Sequence, residues 1–386
     1  MNLLPLSSIK CSNKNIIALL FVLAIALQLQ AQDAEPNESV PRQYSFVAEY
    51  FYGNILRHQP TVAPIVAGHP QGFILSYNRK NFGRESWEQG FNYPDVGFSF
   101  AYQNYNSEIV GDLYSLYAHY NFYLLNRASK NQLMLRAGIG LAYNTNPYDK
   151  ETNNKNVSFG THLNSSTYFK LYYQRERIFN NLGVQAGLTF IHASNSNYKS
   201  PNTGLNTWGA TVGLHYNLEQ EDAPFYRHDV TNKYIEPIKF NFVFRGGVNE
   251  SENIGSGLYP FFVFSGYADK RVSRKSAIQL GTDVFISPFL NEFIEYYHVN
   301  FPGESDASTS DITRVSLFVG HELFVNKFSV IAQVGYYVYW PFKYETRYYE
   351  RLGLKRYFGD KWFAAISLKA HAANAETVEF GVGIRL

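Results

Sequence analysis

The feature that most constrains this chain is a texture. Segments of about ten residues, in which apolar and polar side chains alternate, recur between turn residues from Gln43 to Leu386. Strand side chains point to opposite faces in turn, so each segment is a strand with one greasy and one polar side. In the last one, Val378, Phe380, Val382, Ile384 and Leu386 fall on one side, and Glu379, Gly381, Gly383 and Arg385 on the other. Strands are expected to begin near Gln43, Gln71, Asp95, Gly111, Gln132, Asn164, Asn180, Gly204, Pro237, Tyr259, Ser276, Ile312, Lys327, Arg347, Lys361 and Glu376. Helical periodicity is nearly absent. The fold class is therefore all-β and antiparallel, either a soluble sandwich or a membrane barrel.

The N-terminus and the aromatic content favour the barrel. Lys10 and Lys14, an apolar run from Ile16 to Leu27, and Leu29-Gln30-Ala31 before Gln32 read as a secretory signal cleaved after Ala31. The run is shorter than the ~20 residues a membrane-spanning helix needs. Cys11, the only cysteine, departs with it, which excludes disulfides and cysteine nucleophiles from the mature chain. Aromatic residues make up 17% of the chain, with 31 Tyr and 31 Phe, and girdles at the two membrane interfaces would use them. The expected organisation is a signal peptide at 1–31, a short N-terminal segment at 32–41, and one transmembrane β-barrel at 42–386 with an even count of about 12–16 strands. A ring that large could enclose an aqueous channel, since ~8 strands already fill themselves with side chains.

Loop lengths orient the barrel. Short links at Asn126–Asn131, Gln174–Ile178, Asn326–Lys327 and Gly359–Lys361 belong on the periplasmic rim, and longer ones at Asn146–Asn156 and Asn291–Asp311 on the outer rim. The link from Glu219 to Glu236 is too long for a periplasmic turn and unsettles the strand count.

Charge excludes some partners. Loss of Lys10 and Lys14 brings the 34 basic side chains down to the number of acidic ones, 32, and no basic run points to nucleic acid. The ten histidines have no zinc-ligand spacing, so neither metal nor cofactor is expected. Ala137-Gly138-Ile139-Gly140 lacks the third glycine and the following helix of a dinucleotide loop. Asp112 and Glu108 read as solvated acids, and Lys369 and His371 as lumen lining.

One hairpin stands apart. Leu182, Val184, Ala186, Leu188, Phe190, His192 and Ser194 share a strand face, and Asn206, Trp208, Ala210, Val212, Leu214 and Tyr216 share the matching face of the next strand. On a barrel both faces meet lipid. Cross-strand neighbours sit ~5 Å apart, so a serine, a base and an orienting side chain could meet there. A polar pair tolerated at a strand end is the simpler reading of His192 and Ser194 alone.

The wider run, His192-Ala193-Ser194-Asn195 with Lys199, Pro201-Asn202 and Gly204-Leu205-Asn206, resembles the active-site hairpin of the PagL-type lipid A 3-O-deacylases. The resemblance implies an outer-membrane ester hydrolase that removes an acyl chain from lipid A, the lipid of lipopolysaccharide, with a Ser-His-Glu triad on the outer wall. It implies Ser194 as nucleophile, His192 as general base, and Asn195 and Asn202 as residues that shape the oxyanion site. Lys199 is a candidate contact to a lipid A phosphate. Asn206 stands where the family pattern has glutamate. An asparagine can hold the imidazole tautomer but supplies no charge. A weaker relay, another carboxylate such as Glu376, or decayed activity would each fit, and so would a porin-like or structural barrel.

Overall fold

The computed structural model describes residues 39–229, 234–251, 253–301, 311–372 and 374–386; the expected signal segment lies outside them. The first eight strands are β1 (Gln43–Ile55), β2 (Gln71–Lys80), β3 (Asp95–Asn104), β4 (Asp112–Tyr123), β5 (Asn131–Asn144), β6 (Leu163–Phe179), β7 (Leu182–Ser194) and β8 (Leu205–Asn217). The second eight are β9 (Lys239–Glu250), β10 (Leu258–Arg271), β11 (Ser276–Ile286), β12 (Thr313–Val325), β13 (Phe328–Tyr339), β14 (Tyr348–Phe358), β15 (Trp362–His371) and β16 (Asn374–Arg385). Every one begins within two residues of its expected start.

The strands close differently from the expectation. β1 pairs with both β2 and β8, and β9 with both β10 and β16, which makes two closed antiparallel rings of eight. The single barrel over 42–386 is thus corrected to two. Alternation fixes which way a side chain faces but not which strand its strand pairs with, and both closures are long-range. The over-long link at Glu219–Glu236 is the passage from one ring to the other.

Both walls are greasy outside. Phe46, Phe98, Leu116, Leu188 and Val212 stand out from the first ring, and Phe242, Leu280, Val319, Leu352 and Val382 from the second. A soluble surface does not expose a continuous apolar belt of this extent; lipid covers it. Exposed tyrosines rim the first belt, with Tyr52, Tyr114 and Tyr143 at the outer ends of their strands and Tyr77, Tyr173 and Tyr216 at the periplasmic ends.

The interiors are filled, as eight-stranded rings require. In the first, Arg136 donates to Asn121 Oδ1 and Ser76 Oγ at 2.7 Å each, beside the buried Lys170–Glu49 pair. In the second, Arg351 bridges Asp283 (2.7 Å) and Glu379 (2.6 Å), and Lys355 meets Glu322 at 2.9 Å. Charges withdrawn from water are tolerated because each has a partner. Among the described residues the channel that a wide ring could enclose has no counterpart.

Each end of the first ring is stoppered. At the outer mouth Ile55, Val62, Tyr105, Leu113, Phe159, Ala193 and Leu205 form a buried apolar cluster. At the periplasmic mouth the passage between rings does the same. Ala223 and Phe225 pack on Val40 and Phe82, Gln43 and Tyr226 bond to Glu221 O and Phe82 O at 2.9 and 2.8 Å, and His228 Nε2 lies 2.8 Å from Gly83 O. Among the described residues two α-helices, α1 (Ser86–Gly90) and α2 (Phe289–Asn300), and a 3-10 helix at Pro60–Ile65 interrupt the strand pattern. The second is a departure from the expected loop at Asn291–Asp311. Its Phe289, Leu290 and Ile294 pack on Phe342 and Tyr344 over the outer mouth of the second ring.

Candidate active site on the β7–β8 hairpin

The facing expected of β7 and β8 holds. Gln185, Thr189, Ile191 and Ala193 point inward and are buried, while Leu188 and Trp208 are 62% and 48% exposed on the outer wall. His192 and Asn206 are direct partners in the β7–β8 ladder, followed toward the membrane centre by the pairs Phe190–Trp208 and Leu188–Ala210. The polar group therefore sits at the head of an apolar track.

Its geometry is a linear relay. Asn206 Oδ1 lies 2.6 Å from His192 Nδ1, and His192 Nε2 lies 3.2 Å from Ser194 Oγ. With Asn206 accepting, Nδ1 carries the proton and Nε2 offers its lone pair to the hydroxyl. Ser194 is only 4% exposed.

The loop 195–204 is tied to itself. Asn195 N donates to Asn202 Oδ1 at 2.8 Å, and Asn195 Nδ2 donates to Lys199 O at 2.7 Å. Ser196 N donates to Ser194 Oγ at 3.3 Å. Asn195 is thus bonded to Asn202, and its side-chain Nδ2 keeps one N–H beyond the bond to Lys199 O. Gly204 is required where it is. Its φ is +66°, and a Cβ there would lie 2.9 Å from Ser194 Cβ and 3.2 Å from His192 Cε1. Lys199 is exposed on the outer rim. The carboxyl of Asp149, in the neighbouring loop, is held below the usual range chiefly by the Thr152 backbone N–H and hydroxyl, with Lys199 adding a smaller pull.

Other supports were not legible in the sequence. Ser166 Oγ donates to His192 O at 2.7 Å and Ser165 Oγ to Ser194 O at 3.0 Å, both from β6. His58 Nε2 lies 3.2 Å from Thr203 O, and Leu56 N donates to Asn206 O at 2.8 Å. His58 is a neighbour only because β1 closes on β8, a seam that a larger ring would not contain. The serines at 165 and 166 gave a weak cue, two polar residues together at the mouth of a strand adjoining β7.

Glu376 is corrected. Parity along β16 put it outside, as a possible third carboxylate. Opposite it the register slips: Lys369 pairs with Thr377 but Ala370 with Ala375, so Glu376 is the extra residue of a bulge. Its side chain turns into the second ring, bonded to Arg314, Lys369 and His371 at 2.6 Å each. It cannot serve His192. Lys369 and His371 face the lumen, as expected.

Comparison with known proteins follows the same division. Residues 71–215 match the family model of the lipid A 3-O-deacylase PagL, and residues 238–386 that of the acyloxyacyl hydrolase C-terminal domain. The chain belongs to the PagL family of outer-membrane lipid A deacylases. The first match lies within the ring that carries Ser194, the second spans the other ring, and together they cover about three quarters of the sequence. Family and fold alike place the chain in the outer membrane. The crystal structure of the outer-membrane enzyme PagL is 17% identical over 43% of this chain and 97% of its own, with a TM-score of 0.33. Omp33 of Acinetobacter baumannii is 8% identical over 89% of this chain and 98% of its own, at 0.17. A mutant porin of Rh. blastica is 9% identical over 90% and 100%, at 0.19. No curated protein matches the chain.

Proposed function

We propose that this chain hydrolyses an ester-linked acyl chain of lipid A, with Ser194 as nucleophile, His192 as general base and Asn206 as the residue that orients it. The observation that carries the reading is the unbroken line from Asn206 Oδ1 through the imidazole to Ser194 Oγ, 2.6 and 3.2 Å, at the outer-leaflet end of a lipid-facing wall. A substrate acyl chain lying along Phe190, Trp208 and Leu188 would bring its ester to the level of the serine without leaving the membrane.

In the first step Ser194 Oγ attacks the acyl carbonyl as its proton passes to His192 Nε2. The developing oxyanion is met by N–H donors of Asn195 and Asn202. Collapse breaks the bond to the sugar oxygen, which takes the proton from His192 and leaves as a hydroxyl. Water, deprotonated by the same nitrogen, then attacks the acyl-serine and frees the fatty acid. Asn206 keeps Nδ1 protonated throughout, so that Nε2 is the nitrogen that accepts. At the rim, the exposed Lys199 would meet a lipid A phosphate.

The test is to incubate purified protein with lipopolysaccharide and follow lipid A by mass spectrometry, beside Ser194→Ala. Loss of one acyl chain with the wild type alone supports the reading; identical spectra refute it.

A further inference from the structure

The second ring holds no part of the relay, yet its outer rim grips the loop that surrounds Ser194. Ser200 Oγ donates to Ser251 O at 2.9 Å, and Asn197 Nδ2 to Glu376 O at 3.4 Å. Glu250 N donates to Asn197 O at 3.4 Å. The closest of these contacts is a carboxylate: Glu250 Oε2 accepts Ser200 N at 2.7 Å, while Oε1 accepts Gly255 N at 2.9 Å. Glu250 and Ser200 are each 4% exposed. A carboxylate so buried is stabilised by the N–H groups that surround it, and the charge makes those bonds strong and directional.

One peptide group joins this contact to the site. The N–H of Ser200 and the carbonyl of Lys199 belong to the same planar unit, so fixing one fixes the other. Lys199 O is the acceptor of Asn195 Nδ2 at 2.7 Å. Glu250, the 199–200 peptide and the Asn195 amide therefore form a continuous hydrogen-bonded chain from the second ring to the edge of the serine. Bonds in such a chain polarise and orient one another.

We infer that Glu250 is a positioning residue of the hydrolase, through which the second barrel aims the Asn195 amide at the oxyanion formed on Ser194. The inference rests on the reading of the site given above. It gives the C-terminal ring a task at a centre to which it contributes no reacting group.

The test uses the full chain and the rate of acyl release from lipopolysaccharide, with Glu250→Gln, Asn195→Ala and the double variant. Gln keeps the shape but turns either an N–H or a neutral oxygen toward Ser200. Since loss of an oxyanion donor costs about 10²–10³ in kcat, its misalignment is expected to cost about tenfold or more, with KM within about twofold. In the Asn195→Ala background the same change should cost nothing further. Wild-type kcat in Glu250→Gln, or losses that multiply in the double variant, would overturn the inference. Should the Gln variant not fold, Glu250→Asp, which withdraws the carboxylate by about 1.5 Å but keeps its charge, is read the same way. A wild type no more active than Ser194→Ala removes the hydrolase reading and this one together. An active wild type with an indifferent Glu250 removes this one alone.

Discussion

Replacing Asn206 by aspartate changes one atom's identity and adds one charge at a known distance. Oδ1 lies 2.6 Å from His192 Nδ1, and the aspartate is isosteric, so the hydrogen bond keeps its place while the orienting group becomes an anion. An opposite charge within ~4–6 Å stabilises the protonated form by about 1–3 pKa units. At 1.36 kcal/mol per unit this is about 1.4–4 kcal/mol of support for the imidazolium that forms as Ser194 attacks. Asn206→Asp should therefore raise kcat by about 10 to 10³. The sign on the pH axis is also set. His192 must be neutral to accept the proton, and the new carboxylate favours its charged form. The acid limb of the rate profile should thus move to higher pH by the same 1–3 units, even as the plateau rises. Initial rates of fatty-acid release from lipopolysaccharide in detergent, taken from about pH 5 to 9, measure both effects. A folded variant with the wild-type plateau and an unmoved acid limb would refute the relay. Asn206→Glu, the residue of the family pattern, should act in the same direction.

Gly204→Ala should leave the barrel folded but lower kcat about 10²-fold, because the new methyl group displaces Ser194 or His192; lipid A mass spectrometry reads the loss. Glu49→Gln strands Lys170 inside the first ring and should destabilise it by about 3–5 kcal/mol in a denaturant titration. Adding Lys170→Met should recover much of that loss. In planar bilayers the protein should give no porin-like conductance, since both rings are filled by paired charges.

How much of this was legible in the sequence depended on the range of the interaction. Strand positions and the facing of His192, Ser194 and Asn206 follow from a local rule, that side chains alternate, and the structure agrees. The closure of β1 on β8 depends on residues more than 150 positions apart, such as Phe46 and Tyr216, and nothing in a period of two encodes it. So the ring count was misjudged, and with it the presence of His58 above the site. Glu376 failed for the opposite reason, a purely local fault: one inserted residue reverses the facing of everything on its far side. Helix α2 departs from the loop reading although its Phe289, Leu290, Phe293, Ile294 and Tyr297 repeat at helical spacing, because that spacing lasts only 12 residues in a chain otherwise patterned with period two.

The stretch after β8 also bears on how the molecule can be taken apart. Residues as far as His228 close the periplasmic mouth of the first ring. They belong to that ring's structure although they follow its last strand. Anyone wishing to compare the first barrel with a small one-ring relative should therefore cut beyond Asp229 rather than at Asn217. Severed at the strand's end, the ring would lose its floor, and a drop in stability or turnover would be charged wrongly to the absence of its neighbour.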